Sequence, residues 1–171
     1  MKFYPKSYLK NVLEVDESFL KENNIKAILL DIDNTILNTD NIMIEGLEDW
    51  INKLKKIGIK FCILSNTNRK KKAEKISKIL DIPYIFFAMK PFKRGFNKAK
   101  KIVGEENENI AVIGDQILTD VLGANRSKMY SILVEPLQKK DILITRINRL
   151  IERKILKKYL EKNNKEKNET N

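Results

Sequence analysis

Five short apolar runs, separated by amphipathic segments, set the limits on how this chain can fold. They cover residues 25–32, 59–64, 84–87, 109–113 and 129–134. Each reads as a strand, and the first as a buried one. The segments between them carry helical spacing. Leu47, Trp50, Ile51, Leu54 and Ile57 recur on one face of residues 45–57, with Gly58 at the stop. Ala73, Ile76, Ile79 and Leu80 do the same over residues 68–80. Residues 92–103 form a further helix closed by Gly104, residues 117–125 a short one, and residues 141–161 a long final one. Regular alternation of strand and helix predicts an α/β fold: a three-layer α/β/α sandwich around a central parallel sheet of about five strands. Such sheets carry their sites at the carboxyl ends of the strands. One domain is expected over residues 1–161, with its core at about 26–136. Residues 162–171, KNNKEKNETN, hold no apolar side chain and are expected to be disordered.

Composition removes several classes of function. The 171 residues include no histidine, which excludes Ser-His-Asp, Cys-His and His-zinc chemistry. The one cysteine, Cys62, sits in an apolar run and reads as a small buried hydrophobe; no disulfide can form within the chain. A reducing, cytoplasmic setting follows as the expectation. No apolar stretch approaches a membrane span, and the N-terminus lacks the apolar region of a signal peptide. Lys and Arg outnumber Asp and Glu by 34 to 23, a net charge of +11 that favours an anionic partner: nucleic acid, an acidic membrane surface or a phosphorylated substrate.

The strand ends hold the chemistry. The first run leads into Asp31-Ile32-Asp33-Asn34-Thr35, the second into Ser65-Asn66-Thr67, the third into Lys90-Pro91, and the fourth into Gly114-Asp115-Gln116 with Asp120 beyond. A buried carboxylate is costly unless it is paired or metal-bound. Carboxylates, a hydroxyl and a lysine converging on one sheet edge are what phosphoryl transfer needs: a carboxylate nucleophile, a divalent cation held by acids, and a lysine adding positive charge. In an extended chain residues i and i+2 point the same way, so Asp31 and Asp33 are expected to address one substrate together, one as nucleophile and the other as proton carrier. A calcium loop is the competing reading of the two acids, but Ile36 and Ile42 stand where that loop needs Gly and Glu. Asn34 and Thr35 also suit a plain turn, and Ser65 and Asn66 a helix cap. Trp50 and the Phe86–Phe87 pair read as core.

DIDNT, a serine after the second strand, Lys-Pro and GDQILTD together resemble the motifs of the haloacid dehalogenase superfamily of phosphatases, over about residues 26–136. The resemblance implies a Rossmann-like sheet and a magnesium-dependent hydrolase working through an aspartyl-phosphate. Asp31 would be the nucleophile and Asp33 the general acid and then base. Ser65, Asn66 and Lys90 would hold the phosphoryl group. Asp31, the Asp33 main-chain carbonyl and Asp115 would bind Mg2+, with Thr35 and Asp120 in support. DIDNT with KP, GDQxxTD and a leading aromatic-Pro-Lys segment is further similar to the YqeG family, itself similar to mitochondrial phosphatidylglycerophosphatase.

About 25 residues separate the first motif from Ser65, and a similar number separates Ser65 from Lys90; neither gap leaves room for a cap domain. An open site suits a phosphate displayed on something large. Residues 141–162 place Leu143, Ile144, Ile147, Leu150, Ile151 and Ile155 on one side of a helix rich in Arg and Lys. Such a helix lies on an anionic bilayer or packs on the sheet with a solvated basic face. The expectation is a phosphatase converting phosphatidylglycerophosphate to phosphatidylglycerol, peripheral on the inner face of the cell membrane. The alternatives are a soluble phosphatase for a nucleotide, sugar phosphate or phosphoprotein, and a non-enzymatic nucleic-acid or ribosome-binding module.

Overall fold

The structure, a computed structural model, describes residues 2–138 and 143–169. Six strands form one parallel sheet: β1 (Ser7–Leu9), β2 (Ala27–Leu30), β3 (Lys60–Leu64), β4 (Tyr84–Ile85), β5 (Ile110–Gly114) and β6 (Tyr130–Val134), in the order β1-β6-β5-β2-β3-β4. The helices are α1 (Glu17–Glu22), α2 (Leu47–Lys56), α3 (Lys70–Leu80), α4 (Lys93–Val103), α5 (Leu122–Arg126) and α6 (Leu143–Glu169), with a π-helical turn at Ile117–Val121 leading into α5.

The period of two in a strand divides the core into two layers. Ile28 and Leu30, Phe61 and Ile63, Ala111 and Ile113 face one side, where Leu20 of α1, Trp50, Ile51 and Leu54 of α2 and Ile76 of α3 cover them. Ala27 and Leu29, Cys62 and Leu64, Ile110 and Val112 face the other, under Phe96, Ala99 and Val103 of α4 and Ala124 of α5. Both faces of the central strands are therefore dry, which is why β2 reads as an unbroken apolar run. Trp50 meets Phe61 edge to face at 5.5 Å and donates its indole N–H to the Val15 carbonyl at 2.8 Å, so this large side chain is buried with its polar atom satisfied.

The structure departs from the sequence reading in four places. A sixth strand, β1, pairs in parallel with β6 from Ser7↔Ile132 to Leu9↔Val134; three half-buried residues at a sheet edge show no period that the sequence could reveal. The leading segment thus covers the sheet, with Val12 and Val15 in the core and Tyr4 against Tyr159 of α6 at 5.7 Å. Secondly, α6 continues to Glu169 instead of giving way to a disordered tail after residue 161. Its Lys- and Glu-rich end carries no Pro or Gly to stop it, and both residue types favour helix. The expected start at residue 141 and the last two residues lie outside the described ones, as do the side chains of residues 143–149. Thirdly, Leu150 and Ile151 are exposed, and α6 docks through Ile155, Leu156 and Glu152, the last accepting the Leu118 N–H at 3.0 Å. Finally, Phe86 and Phe87 are not core: β4 is only two residues long, so the pair lies beyond it and is exposed.

Burial pushes the Cys62 thiol up to about 12. The native protein at pH 7.5 is therefore expected to resist iodoacetamide at Cys62 over a period in which the denatured chain is fully alkylated. Mass spectrometry reads the difference, and rapid labelling of the native fold would contradict the burial.

Candidate active site

The sheet ladder runs past the ends of its central strands. The Asp31 N–H donates to the Ile113 carbonyl at 3.0 Å, and the Ser65 N–H to the Ile85 carbonyl at 3.0 Å. Because β2 lies between β3 and β5, Asp31, Ser65 and Asp115 stand on three neighbouring strand ends. All three are buried.

Lys90 enters from the segment after β4, and Asn66 fixes its main chain from both sides. Asn66 Oδ1 accepts the Lys90 N–H at 2.7 Å, and Asn66 Nδ2 donates to the Lys90 carbonyl at 3.0 Å. Lys90 is thereby held inward, with Nζ 2.6 Å from Asp31 Oδ1 and 2.6 Å from Asp120 Oδ1. The other oxygen of Asp120 accepts the Gln116 N–H at 3.2 Å and the Thr119 hydroxyl at 3.3 Å. The π-helical turn delivers Asp120 to this point, and Gly114 makes room: a Cβ there would lie 2.2 Å from Asp120 Cγ. One carboxylate oxygen from each of Asp31, Asp115 and Asp120 lies within 4.8 Å of the others.

Burial dominates the electrostatics. It pushes the Asp31 carboxyl up to about 8, against the pull of Lys90 and with the added repulsion of Asp120 and Asp115. For Lys90 burial opposes the charge, but Asp120 and Asp31 more than offset it and hold the ammonium above its ordinary pKa. Three carboxylates thus face one buried ammonium, an excess of negative charge that a divalent cation would balance. The donors are oxygens, which suits a hard cation.

Asp33 is not in this trio. β2 has ended at Leu30, and the Thr35, Ile36 and Leu37 N–H groups all converge on the Ile32 carbonyl. Asp33 is exposed at the rim, where its Oδ1 lies 2.5 Å from Nζ of Lys72 on α3. Thr35 is buried, and its Oγ1 has no hydrogen-bond partner among the described residues. Ser65 Oγ accepts the Thr67 N–H at 3.1 Å, which leaves its own proton free to donate. Sequence reasoning missed Lys72, one of four consecutive cations from Arg69 onward with nothing to single it out. It also missed Gly114 as a space-maker, although a glycine ending a strand just before an acid was a usable signal.

A buried acid cluster at the carboxyl edge of a parallel sheet has known counterparts. The sequence profile of haloacid dehalogenase-like hydrolases matches residues 40–128. The chain belongs to that family and is a phosphatase within it. Over 155 residues it is 41% identical to the Bacillus subtilis (strain 168) protein named "Probable phosphatase YqeG", spanning 90% of each chain. It is 25% identical over 168 residues to the Arabidopsis thaliana protein named "Phosphatidylglycerophosphate phosphatase 1, chloroplastic/mitochondrial", covering 92% of this chain and 48% of that protein. Among solved structures, the HAD-hydrolase YfnB from Bacillus subtilis bound to magnesium shares the fold, with a TM-score of 0.56 at 14% identity over 70% of this chain and 90% of that one. No helix among the described residues is long and apolar enough to cross a membrane.

Gly114→Ala is expected to displace Asp120 and, through it, Lys90. Overpacking of this kind costs about 1–3 kcal/mol. Thermal unfolding should show that loss together with reduced phosphatase activity, whereas a variant with unchanged melting and turnover would contradict the close packing of Gly114 on Asp120.

Proposed function

We infer that this phosphatase hydrolyses a phosphomonoester through an aspartyl-phosphate on Asp31, and that its substrate is phosphatidylglycerophosphate, converted to phosphatidylglycerol at a membrane surface. The observation that carries the chemistry is the buried Lys90 ammonium, 2.6 Å from both Asp31 and Asp120 and next to Asp115.

Mg2+ fits the oxygen-only donor set, would be held by Asp31, Asp115 and the Asp33 main-chain carbonyl, and supplies positive charge to the phosphate oxygens when bound. Asp120 has both oxygens engaged by Lys90, Gln116 and Thr119, so it positions the lysine. Lys90 and the free hydroxyl proton of Ser65 bind the phosphoryl oxygens, while Asn66 holds Lys90 in place. Thr35 supports the site with its buried hydroxyl. Asp31, which a bound Mg2+ would bring back to its ionised form, attacks phosphorus; the bond to the leaving alkoxide breaks as Asp33 gives that oxygen a proton. Asp33 then takes a proton from water, whose oxygen attacks the same phosphorus, releasing inorganic phosphate and restoring both side chains. Exposure of Asp33 gives it access to the leaving group and to solvent, and Lys72 fixes its orientation.

Support for the lipid substrate comes from the similarity to the Arabidopsis protein and from the net charge of +11, which suits an anionic surface. A soluble nucleotide, sugar phosphate or phosphoprotein would meet the same catalytic groups, and a substrate panel separates the readings.

Phosphate release should be measured with Mg2+ on phosphatidylglycerophosphate in mixed micelles, nucleotides and sugar phosphates. Asp31→Asn is expected to lose on the order of 10³-fold or more in kcat. Asp33→Asn should lose about 10²–10⁴-fold, and chelation of the metal should abolish turnover. Turnover persisting in Asp31→Asn would remove the nucleophile assignment; preference for a soluble metabolite over the lipid would remove the substrate assignment.

A further inference from the structure

The segment joining β4 to α4, which carries Lys90, exposes an apolar surface. Phe87 and Phe92 are each 61% exposed, and Phe86 and Met89 each 37%. Large apolar side chains scattered singly on a surface are ordinary; four within seven residues, flanking a buried lysine, are not. Ala88 and Lys90 face inward between them, Ala88 into the core under α4 and Lys90 to the acid cluster, while the residues around them meet solvent.

The outward placement is built in. Phe87 and Met89 adopt left-handed backbone conformations, with φ of 48° and 54°, which side chains other than Gly, Asn and Asp rarely take. Main-chain bonds hold them there. The Phe87 N–H donates to the Thr67 carbonyl, the Ala88 N–H to the Ser65 carbonyl and the Phe92 N–H to the Met89 carbonyl, each at 2.9 Å. Gly95 of α4 presses on Ala88 so closely that a Cβ there would lie 2.5 Å from the Ala88 carbonyl oxygen. The segment cannot fold its aromatic rings into the core without giving up these main-chain bonds.

Cations lie beside the rings. A cavity of about 390 Å³ opens between residues 85–89 on one wall and Arg94 and Lys98 of α4 on the other. Both cations are exposed, and no hydrogen bond or ion pair engages either side chain among the described residues. Aromatic rings and Met that enter the acyl boundary, with Arg and Lys at headgroup level, match an anionic lipid surface in both polarity and charge.

We propose that Phe86, Phe87, Met89 and Phe92, with Arg94 and Lys98, dock this phosphatase on an anionic bilayer, bringing Lys90 and Asp31 to phosphates at headgroup level. This docking rests on the reading that the substrate phosphate is displayed on a membrane. It assigns the contact to the rim of the active site, not to the basic face of α6.

The test uses the full chain, vesicles of phosphatidylcholine with phosphatidylglycerol and no substrate, and sedimentation. Phe87→Asn with Phe92→Ser suits the local backbone, because Asn tolerates positive φ and Ser is a favoured residue at the helix N-cap that Phe92 occupies. This double variant should bind the vesicles at least about tenfold more weakly than the native protein. Its hydrolysis of soluble p-nitrophenyl phosphate should be unchanged, which excludes misfolding. Neutralising Lys154, Lys157 and Lys158 of α6 to Gln should leave most of the binding. Native-like binding by the double variant overturns the proposal, as does loss of binding in the α6 variant alone. A change of oligomeric state in the double variant without a change in vesicle binding would make the patch a protein interface and also overturn it. Patch-dependent binding without turnover of phosphatidylglycerophosphate supports docking and removes only the substrate reading; turnover in micelles without vesicle binding does the reverse.

Discussion

The Lys90 ammonium lets three carboxylates share one end of a buried sheet. Asp31, Asp115 and Asp120 crowd together where water is largely excluded, and burial, joined by their mutual repulsion, pushes the Asp31 carboxyl up even beside the lysine. With Nζ 2.6 Å from two of the three, Lys90 offsets part of that repulsion, and a cation would offset the remainder. Breaking such a buried arrangement from one side typically costs about 3–5 kcal/mol. Many other features of this edge serve to keep that ammonium in place: Asn66 grips its main chain, the π-helical turn presents Asp120 to it, and Gly114 clears the path of Asp120.

The α/β/α layering follows from the same economy. The central strands are apolar on both faces because helices cover both, so polar groups can gather only where strands stop. That is why the β2–β3 and β2–β5 registers matter for chemistry: the rungs beyond Leu30 and Leu64 are Asp31 and Ser65, held by the carbonyls of Ile113 and Ile85. The segment after β4 serves two purposes at once. Lys90 completes the acid cluster from within, and the exposed aromatic residues beside it form the surface we propose to dock on a membrane.

Much of this was legible in the sequence. Short apolar runs ending in Asp31, Ser65 and Asp115 pointed to the edge on which the acids meet, since a parallel sheet puts all carboxyl ends on one side; the order of the strands within the sheet was not legible. Lys90 could be selected from many lysines because it followed a strand and preceded a proline. What stayed hidden depends on tertiary contacts. β1 is three residues of an edge strand whose partner, β6, lies over a hundred residues away. The exposure of Asp33 at the rim and its pairing with Lys72 depend on the fold of the 32–37 turn and on α3, which the alternation rule does not anticipate. Phe86 and Phe87 read as core because they sit at the end of the 84–87 apolar run; only the early end of β4 and the bonds to Ser65 and Thr67 turn Phe87 and its neighbours outward.

The proposed chemistry requires that the acid cluster hold a cation beside Lys90. Anomalous diffraction from crystals soaked in Mn2+, a stand-in for Mg2+ with the same preference for oxygen ligands, tests this directly. A peak against the Asp31 and Asp115 carboxylates, with Lys90 still joined to Asp120, is the predicted result. A fully occupied Mn2+ site elsewhere on the molecule, with none at Asp31 and Asp115, would contradict it.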